Sequence, residues 1–423
     1  MKQIYFGIIG FIFLSACQTN TPKRLNPDLD NAGLKLPDGF SAFVYADSIG
    51  HARHIDINTN GDVYVSLSQV KNGGGLVCLR DNNGDGRADE IKYHGIFDGT
   101  GVKLRNGFVY FGADTVIVRY KLMEGELVPS DQYEIIAGGF DHQNEHEAKP
   151  IAFDKSGNMY VTVGAPSNAC QQQDRIKGSP GMDPCPLLDL HAGIWRFKAD
   201  ILNQDQAKDG YRYATGIRNA VAIRWNTTEN KLYAVQHGRD QLSQLYPELY
   251  TDEQNAELPA EEFLLVEDKS NFGWPYCYYD LAQNKKILGP EYGGDGHKIE
   301  RCSAADDPIL AFPAHTAPND LLFYTGDMFP EKYKHGAFIA FHGSWNRAPL
   351  PQEGYYIAFI PFKGLLPSGA WEIFASGFAG SDVVKSPGDA KHRPCGLAQG
   401  PNGSLYVTDD VTGRIYRIIY NKK

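Results

Sequence analysis

Several short stretches of this chain gather side chains that an ordinary turn does not need. The apolar run Ala337 to Phe341 passes directly into His342, Gly343, Ser344, Trp345, Asn346 and Arg347. Turns are built from Gly, Asn, Asp or Pro; an imidazole, an indole, an amide and a guanidinium in six residues imply a contact with something. In "DHQNEHEAKPIAFD", His142 and His146 stand four apart beside Asp141, Glu145 and Glu147. On a helix that spacing would suit a metal, but Pro150 and the hairpin behind it argue for a loop and against zinc. A His beside carboxylates can be held as a neutral general base; a solvated loop of mixed charge is the plain alternative. In "YATGIRNAVAIRWN", Arg218 and Asn219 form a pair able to bind carboxylate or quinone oxygens, or else the Arg caps a turn. "VQHGRDQL" ends a strand at Gly238, where exposed carbonyls can bind Ca²⁺. "AKHRPCGLA" places Arg393 just before a hairpin, and "HARHIDI" places Arg53 likewise. Cations repeated at hairpin starts imply an anionic ligand, although the whole chain carries a net charge of −10.

One further stretch, "RDNNGDGRADE", fits a cation loop. Asp81, Asn83, Asp85, Gly86 and Asp89 follow the spacing D-x-[DN]-x-[DN]-G with a further acid, oxygen ligands two apart around a tight turn. Lys92 stands where an EF-hand has its bidentate Glu, and the flanks read as strands. The expectation is a structural calcium loop on a hairpin, or an Asp/Asn/Gly turn with no ion.

The elements that must position these groups recur along the chain: an apolar pair, a turn of Asn, Asp or Gly, then an alternating run. Copies begin at His54, Gly101, Pro150, Ala222, Asp320 and Gly396. Each reads as a β-hairpin whose turn needs φ > 0. Helical periodicity is nearly absent; the best candidate, Gln241 to Ala256, is interrupted by Pro247. Six hairpins predict an all-β chain, a six-bladed β-propeller with long inter-strand insertions such as Gly164 to His191 and Gly238 to Gly273. A pair of β-sandwiches is the alternative. In a propeller the insertions gather around the channel, where ligands bind.

Composition agrees with one large β unit: 423 residues with 45 Gly, 24 Tyr and 22 Phe. The acidic balance argues against a nucleic-acid partner. The N-terminus, Ile4 to Leu14 apolar after a Lys and then Leu14-Ser15-Ala16-Cys17, is too short for a permanent span and resembles a bacterial lipoprotein signal. The expected organisation is a signal over 1–17 ending at a lipidated Cys17, a flexible tether over 18–34, and one propeller over 35–423. This places the protein in the bacterial cell envelope, held to the membrane by lipid alone. Export permits disulfides. Six cysteines allow fifteen pairings; proximity favours Cys170–Cys185 and Cys277–Cys302, leaving Cys78 and Cys395 as buried thiols.

Taken in order, "HEAKPIAFDKSGNMYVTVG", "GIRNAVAIRW", "HGRDQL", "NFGWPYCYYD", "FHGSWNR" and "RPCGLAQGPNGSLYVTDD" resemble the glucose/sorbosone dehydrogenase family, its L-sorbosone dehydrogenase branch most of all. The resemblance covers most of the chain after about residue 35. It implies a six-bladed propeller that uses pyrroloquinoline quinone (PQQ) and Ca²⁺. His146 would be the general base that deprotonates a sugar's anomeric hydroxyl while hydride passes to the quinone. Arg218 and Asn219 would touch PQQ and stabilise its reduced form. The carbonyls of Gly238 and Arg239 would hold Ca²⁺, and Arg393 and Arg53 would meet PQQ carboxylates. Trp345 and Asn346 would lie against the cofactor, and His315 would line the same pocket. A sugar is the implied substrate, oxidised to lactone or acid, with a quinone or small haem protein as electron acceptor. Arg239 departs from the Pro of some relatives, and the Lys that sugar-oxidising cousins place near Asn346 is missing. A propeller that binds carbohydrate without turnover, and a Ca²⁺-dependent lactone hydrolase, are the rival readings.

Overall fold

Each of the six hairpins is the inner half of a blade of four antiparallel strands, two of the blades gaining a short fifth strand paired parallel, in the computed structural model, which describes Met1 and residues 25–421. The expected signal and Cys17 lie outside the described residues. Blade 1 runs Ala52–Ile57, Val63–Lys71, Gly74–Arg80 and Glu90–His94; blade 2 runs Gly99–Arg105, Phe108–Ala113, Ile117–Lys121 and Tyr133–Gly138. Blade 3 runs Ile151–Phe153, Asn158–Val163, Gly193–Lys198 and Tyr211–Thr215; blade 4 runs Ala222–Asn226, Lys231–Gln236, Glu261–Val266 and Leu310–Phe312. Blade 5 runs Pro318–Phe323, Ala337–Phe341, Tyr356–Ile360 and Glu372–Ala375. Blade 6 takes Pro394–Gln399, Leu405–Asp409 and Ile415–Tyr420 from the C-terminal end. Its outermost strand is Phe40–Ala46, paired antiparallel with Ile415–Tyr420. The six inner strands pack side by side in a closed ring, the last against the first.

The hairpin turns follow their sequence signals. Asp154 Oδ1 accepts from the Ser156 and Asn158 amides, both at 2.8 Å, and Gly157 takes φ 81° where a side chain would be strained. The apolar runs are buried on both faces because each blade packs between two others. The large buried clusters therefore bridge neighbouring blades. Tyr233, Phe263, Leu321 and Phe341 join blades 4 and 5, and Leu322, Phe338, Leu397 and Tyr416 join blades 5 and 6.

Loops from second to third strands, and from each blade to the next, open at one end of the channel. Three insertions build that end up. Residues 164–192 carry the disulfide Cys170–Cys185, as expected. The expected insertion Gly238 to Gly273 is two loops, because Glu261–Val266 between them is the third strand of blade 4. The first holds the short helices Leu242–Leu245 and Asp252–Glu257, with Pro247 breaking the single helix that the apolar pattern suggested. The second climbs beside blade 3 through Ser270–Asn271 and is closed by Cys277–Cys302. Cys78 and Cys395 are buried thiols. Of the expected tether, residues 25–34 are described: Asp28 accepts from Val44 N at 3.0 Å and pairs with Arg87, fastening this segment to the propeller. No helix among the described residues is long and apolar enough to cross a membrane.

Candidate active site

Two adjoining cavities of about 220 and 270 Å³ lie over the channel mouth and share His146, Asn219, His237, Ala317 and Trp345. The first reaches Arg218, Gly238, His315 and Asn346; the second reaches Arg53, His342 and Arg393. Residues from five blades or the loops between them, spread over 340 positions of sequence from Arg53 to Arg393, thus converge on one space.

His146 sits in the loop entering blade 3, with φ 58°. Its Nδ1 lies 2.6 Å from the Ala165 carbonyl. Nδ1 therefore carries the proton, and Nε2 keeps its lone pair. Burial, and then the Arg218 charge, hold the imidazole well below its ordinary range, so it is neutral near pH 7. The close approach of this loop to blade 3 requires Gly164, where a Cβ would lie 2.5 Å from that of His146. Lys149, fully buried, donates to the Glu147 carbonyl at 2.7 Å, and Gln143 donates to the carbonyls of Glu145 and Gly164. Together they fix the loop from below.

Arg218 is buried and fully engaged. Its guanidinium donates to Asp240 Oδ2 at 2.9 Å, to the Gly238 carbonyl at 2.8 Å, and to the Asn168 carbonyl and side-chain oxygen at 3.2 Å each. The Gly238 carbonyl, expected as a calcium ligand, thus already accepts a strong donor. Asn219 lines both cavities, 3.5 Å from His237 Nδ1. Asn346 donates to Asp240 Oδ1 at 2.6 Å, and its own Oδ1 is buried with no partner among the described residues. His315 lies 3.7 Å from Asp240 while its Nε2 donates to the Asn255 carbonyl. Arg53 uses Nη1 on Asp410 at 2.8 Å; Arg393 holds only Nη2 contacts of 3.2–3.5 Å. Both guanidiniums keep donors for a ligand.

Sequence reasoning missed the groups that hold these side chains. Asp240 joins Arg218, Asn346 and His315, and the Arg218 charge first of all keeps its carboxyl low, at about 2, against burial. It stood inside "HGRDQL", where attention fell on the carbonyls before it. Asn168, wholly buried, also accepts from Asp240 N at 2.8 Å and donates to the Asp240 carbonyl. Only its place in a disulfide loop hinted at it. Asp410 bridges Arg53 and His342. Glu261 accepts from the Gly238 and Ala317 amides, and burial pushes it up to about 8 against those two donors.

The other side chains singled out in the sequence are placed as follows. The Arg239 side chain turns away from the cavity to a buried pair with Glu291. Trp345 is 61% exposed at the rim and stacks on no ring among the described residues. Arg347 is buried and directed away from the cavity, tying its loop to Ala256 and Glu257. His142 pairs with Asp114 outside the cavity. The Asp81–Asp89 loop lies at the opposite face. There Asp81 accepts from Gly84 and Gly86, Asn83 from Asp85, Asp85 from Arg87, and Asp89 from Asn82 and Asn83. Among the described residues no three of His, Cys, Asp and Glu converge as a metal site. The centre also holds Asp240, Asp410 and Glu261, more acid than the sequence suggested, but each is engaged by protein donors.

A closed six-bladed ring with a neutral imidazole and spare guanidiniums over its channel defines a β-propeller with a polar, cation-rich site at its channel mouth. The chain belongs to the TrAA12-like family, whose model matches residues 34–421. A PQQ-dependent pyranose dehydrogenase of Coprinopsis cinerea is 29% identical over 280 residues, which is 57% of this chain and 36% of that one. An uncharacterized protein of Borreliella burgdorferi is 31% identical over 210 residues, 49% of this chain and 48% of that one. The chain thus spans less than half the length of these curated relatives. Among solved structures, the holo PQQ domain of the Coprinopsis enzyme aligns with a TM-score of 0.71 at 19% identity, over 91% of this chain and 97% of that chain. The calcium structure of a Trichoderma reesei family AA12 enzyme gives 0.74 at 18%, over 95% and 99%.

Proposed function

We propose that this chain is a PQQ-dependent dehydrogenase that oxidises a sugar at its anomeric or aldehyde carbon to a lactone or acid. The observation that carries this is His146: a neutral imidazole, its tautomer fixed by Ala165, facing a cavity flanked by under-used cations. PQQ is an anionic planar ring system. The spare donors of Arg53 and Arg393 suit its carboxylates, and the unpartnered Asn346 Oδ1 and Asn219 suit its polar edge. Bound there, PQQ would supply a two-electron hydride acceptor. His146 Nε2 would take the hydroxyl proton from the carbon that loses hydride. Arg218, held by Asp240 and Asn168, would keep positive charge beside the electrons that arrive. The sugar dehydrogenase relatives support this reading. Sorbosone is one candidate among aldoses and sugar aldehydes.

Calcium belongs to the proposal in second rank. An ion at the Gly238 and Arg239 carbonyls would have to share the Gly238 oxygen with the Arg218 donor. The Asp81 loop, self-bonded at the far face, would be at most a structural site. We also propose export with lipid anchoring at Cys17, which the two disulfides support, and electron delivery to a quinone or small haem protein.

The test is reconstitution with PQQ, with and without Ca²⁺, and dye reduction across an aldose panel. No rate above the apo control, with no change in quinone absorbance, would overturn the assignment. Activity that survives chelation would remove calcium from it. Mass analysis of the mature N-terminus decides the anchor.

A further inference from the structure

The other end of the channel holds a second cavity of about 280 Å³, lined by Asp56, Lys103, Arg224 and the rings of Phe153, Trp225 and Phe323. It opens at the face of the first–second turns. Asn219, at the first mouth, and Arg224 are five residues apart along the chain, roughly 16 Å when extended. None of its lining residues belongs to the site above.

Two cations meet here without partners. Lys103 comes from the inner strand of blade 2 and is only 7% exposed, yet its Nζ has no hydrogen-bond partner among the described residues. Arg224, from the inner strand of blade 4, is half-buried, and its guanidinium has no hydrogen bond or ion pair among the described residues. Two carboxylates, Asp56 and Asp320, lie near enough to act on Lys103 by charge, but both accept from backbone amides and neither bonds to it. Asp56 accepts from Leu104 N, and Asp320 accepts from Leu321 N and Leu397 N, all at 2.8 Å. His54, also close, has its Nε2 on the Asn319 carbonyl. Burial, and next the Arg224 charge, pull the Lys103 ammonium below its ordinary value. A buried cation without an acceptor is costly, and two together favour an anion between them.

From this geometry we infer that the far mouth of the channel is a binding site for a small organic carboxylate, with its charge between Lys103 and Arg224 and its apolar body against Phe153, Trp225 and Phe323. Aromatic walls beside paired cations suit a ring-bearing monocarboxylate better than a bare inorganic ion.

The experiment is calorimetric titration of the full chain with benzoate, neutral benzamide and inorganic sulfate, followed by a crystal soak in benzoate. The expected result is one benzoate site, about tenfold or more tighter than benzamide, since a hydrogen bond to a charged group is worth roughly 1.5–3 kcal/mol. K103M and R224Q should each weaken benzoate by about tenfold, and R224K should restore part of the loss. Because Arg224 is half-exposed, R224Q keeps the test decisive if K103M fails to fold. Three outcomes would overturn the site: equal affinity for benzamide, unchanged affinity in R224Q, or benzoate density at the Arg53–Arg393 mouth with none between Lys103 and Arg224. Sulfate binding as tightly as benzoate would overturn the organic-anion assignment.

Discussion

At the scale of single residues, burial decides what the imidazoles do. His54, His146, His237 and His315 are all held below the ordinary histidine value, burial being the first cause in each; His237 falls to about 4. A base kept neutral in this way does not lose its lone pair in mild acid. His146→Ala is expected to lower kcat by roughly 10²–10⁴-fold with an intact fold, and full turnover in that variant would remove His146 from the role. The same shifts set a stability profile. Unfolded imidazoles take up protons below about pH 6.5, whereas the native ones resist until well below that. The unfolded state thus binds more protons as pH falls, so stability is greatest above this window and is lost through it. Glu261, raised to about 8, and Glu262, raised as well, act with the opposite sign over part of the range, but His94 and His191 are lowered along with the four imidazoles above. The urea midpoint should therefore fall from pH 7 to pH 5, and His237→Asn should flatten that slope; a midpoint independent of pH would contradict the assignment.

At the scale of elements, the loops are where sequence reading reached its limit. The hairpins were legible because a strand, its Asx turn and its glycine are local chemistry: Asp154, Gly157 and Asn158 state their own geometry. His146, Arg218 and Arg393 were legible because cations and imidazoles at hairpin starts have no local use. Asp240 and Asn168 were not legible, since their partners lie 22 to 106 residues away in other loops. The orientation of Arg347 was equally closed to inspection, because it depends on the helix Asp252–Glu257 packing beside it. Two outcomes test the loop architecture. Gly164→Ala would drive a methyl into His146 and should cut activity at least as much as a misplaced base does, about a hundredfold, with little change in fold. Replacing Cys170 and Cys185 by Ala should cost about 3 kcal/mol for a loop of this length. It should also weaken PQQ binding, because Asn168 would no longer hold Arg218 and Asp240 in place; unchanged affinity would show that the disulfide is only a staple.

At the scale of the molecule, stability rests on seams between blades, each a small core of its own. The seam between blades 5 and 6 is the most aromatic: Phe40 meets Phe329, Phe374 and Tyr333 edge-on at 4.8, 5.0 and 5.3 Å. Phe40→Ala should lower stability by about 3–5 kcal/mol, read from the urea midpoint. It should also favour aggregation, since it loosens the strand that covers the edge of Ile415–Tyr420. That strand, Phe40–Ala46, also places a constraint in time. It emerges first in synthesis, but its partner emerges roughly 370 residues later, about 20–75 s at 5–20 residues per second. Throughout that interval the ring stays open, with one blade short of its outer strand. The propeller is thus committed to its final shape only when Ile415–Tyr420 arrives, and whatever handles the nascent chain must keep a pair-seeking β edge waiting until then.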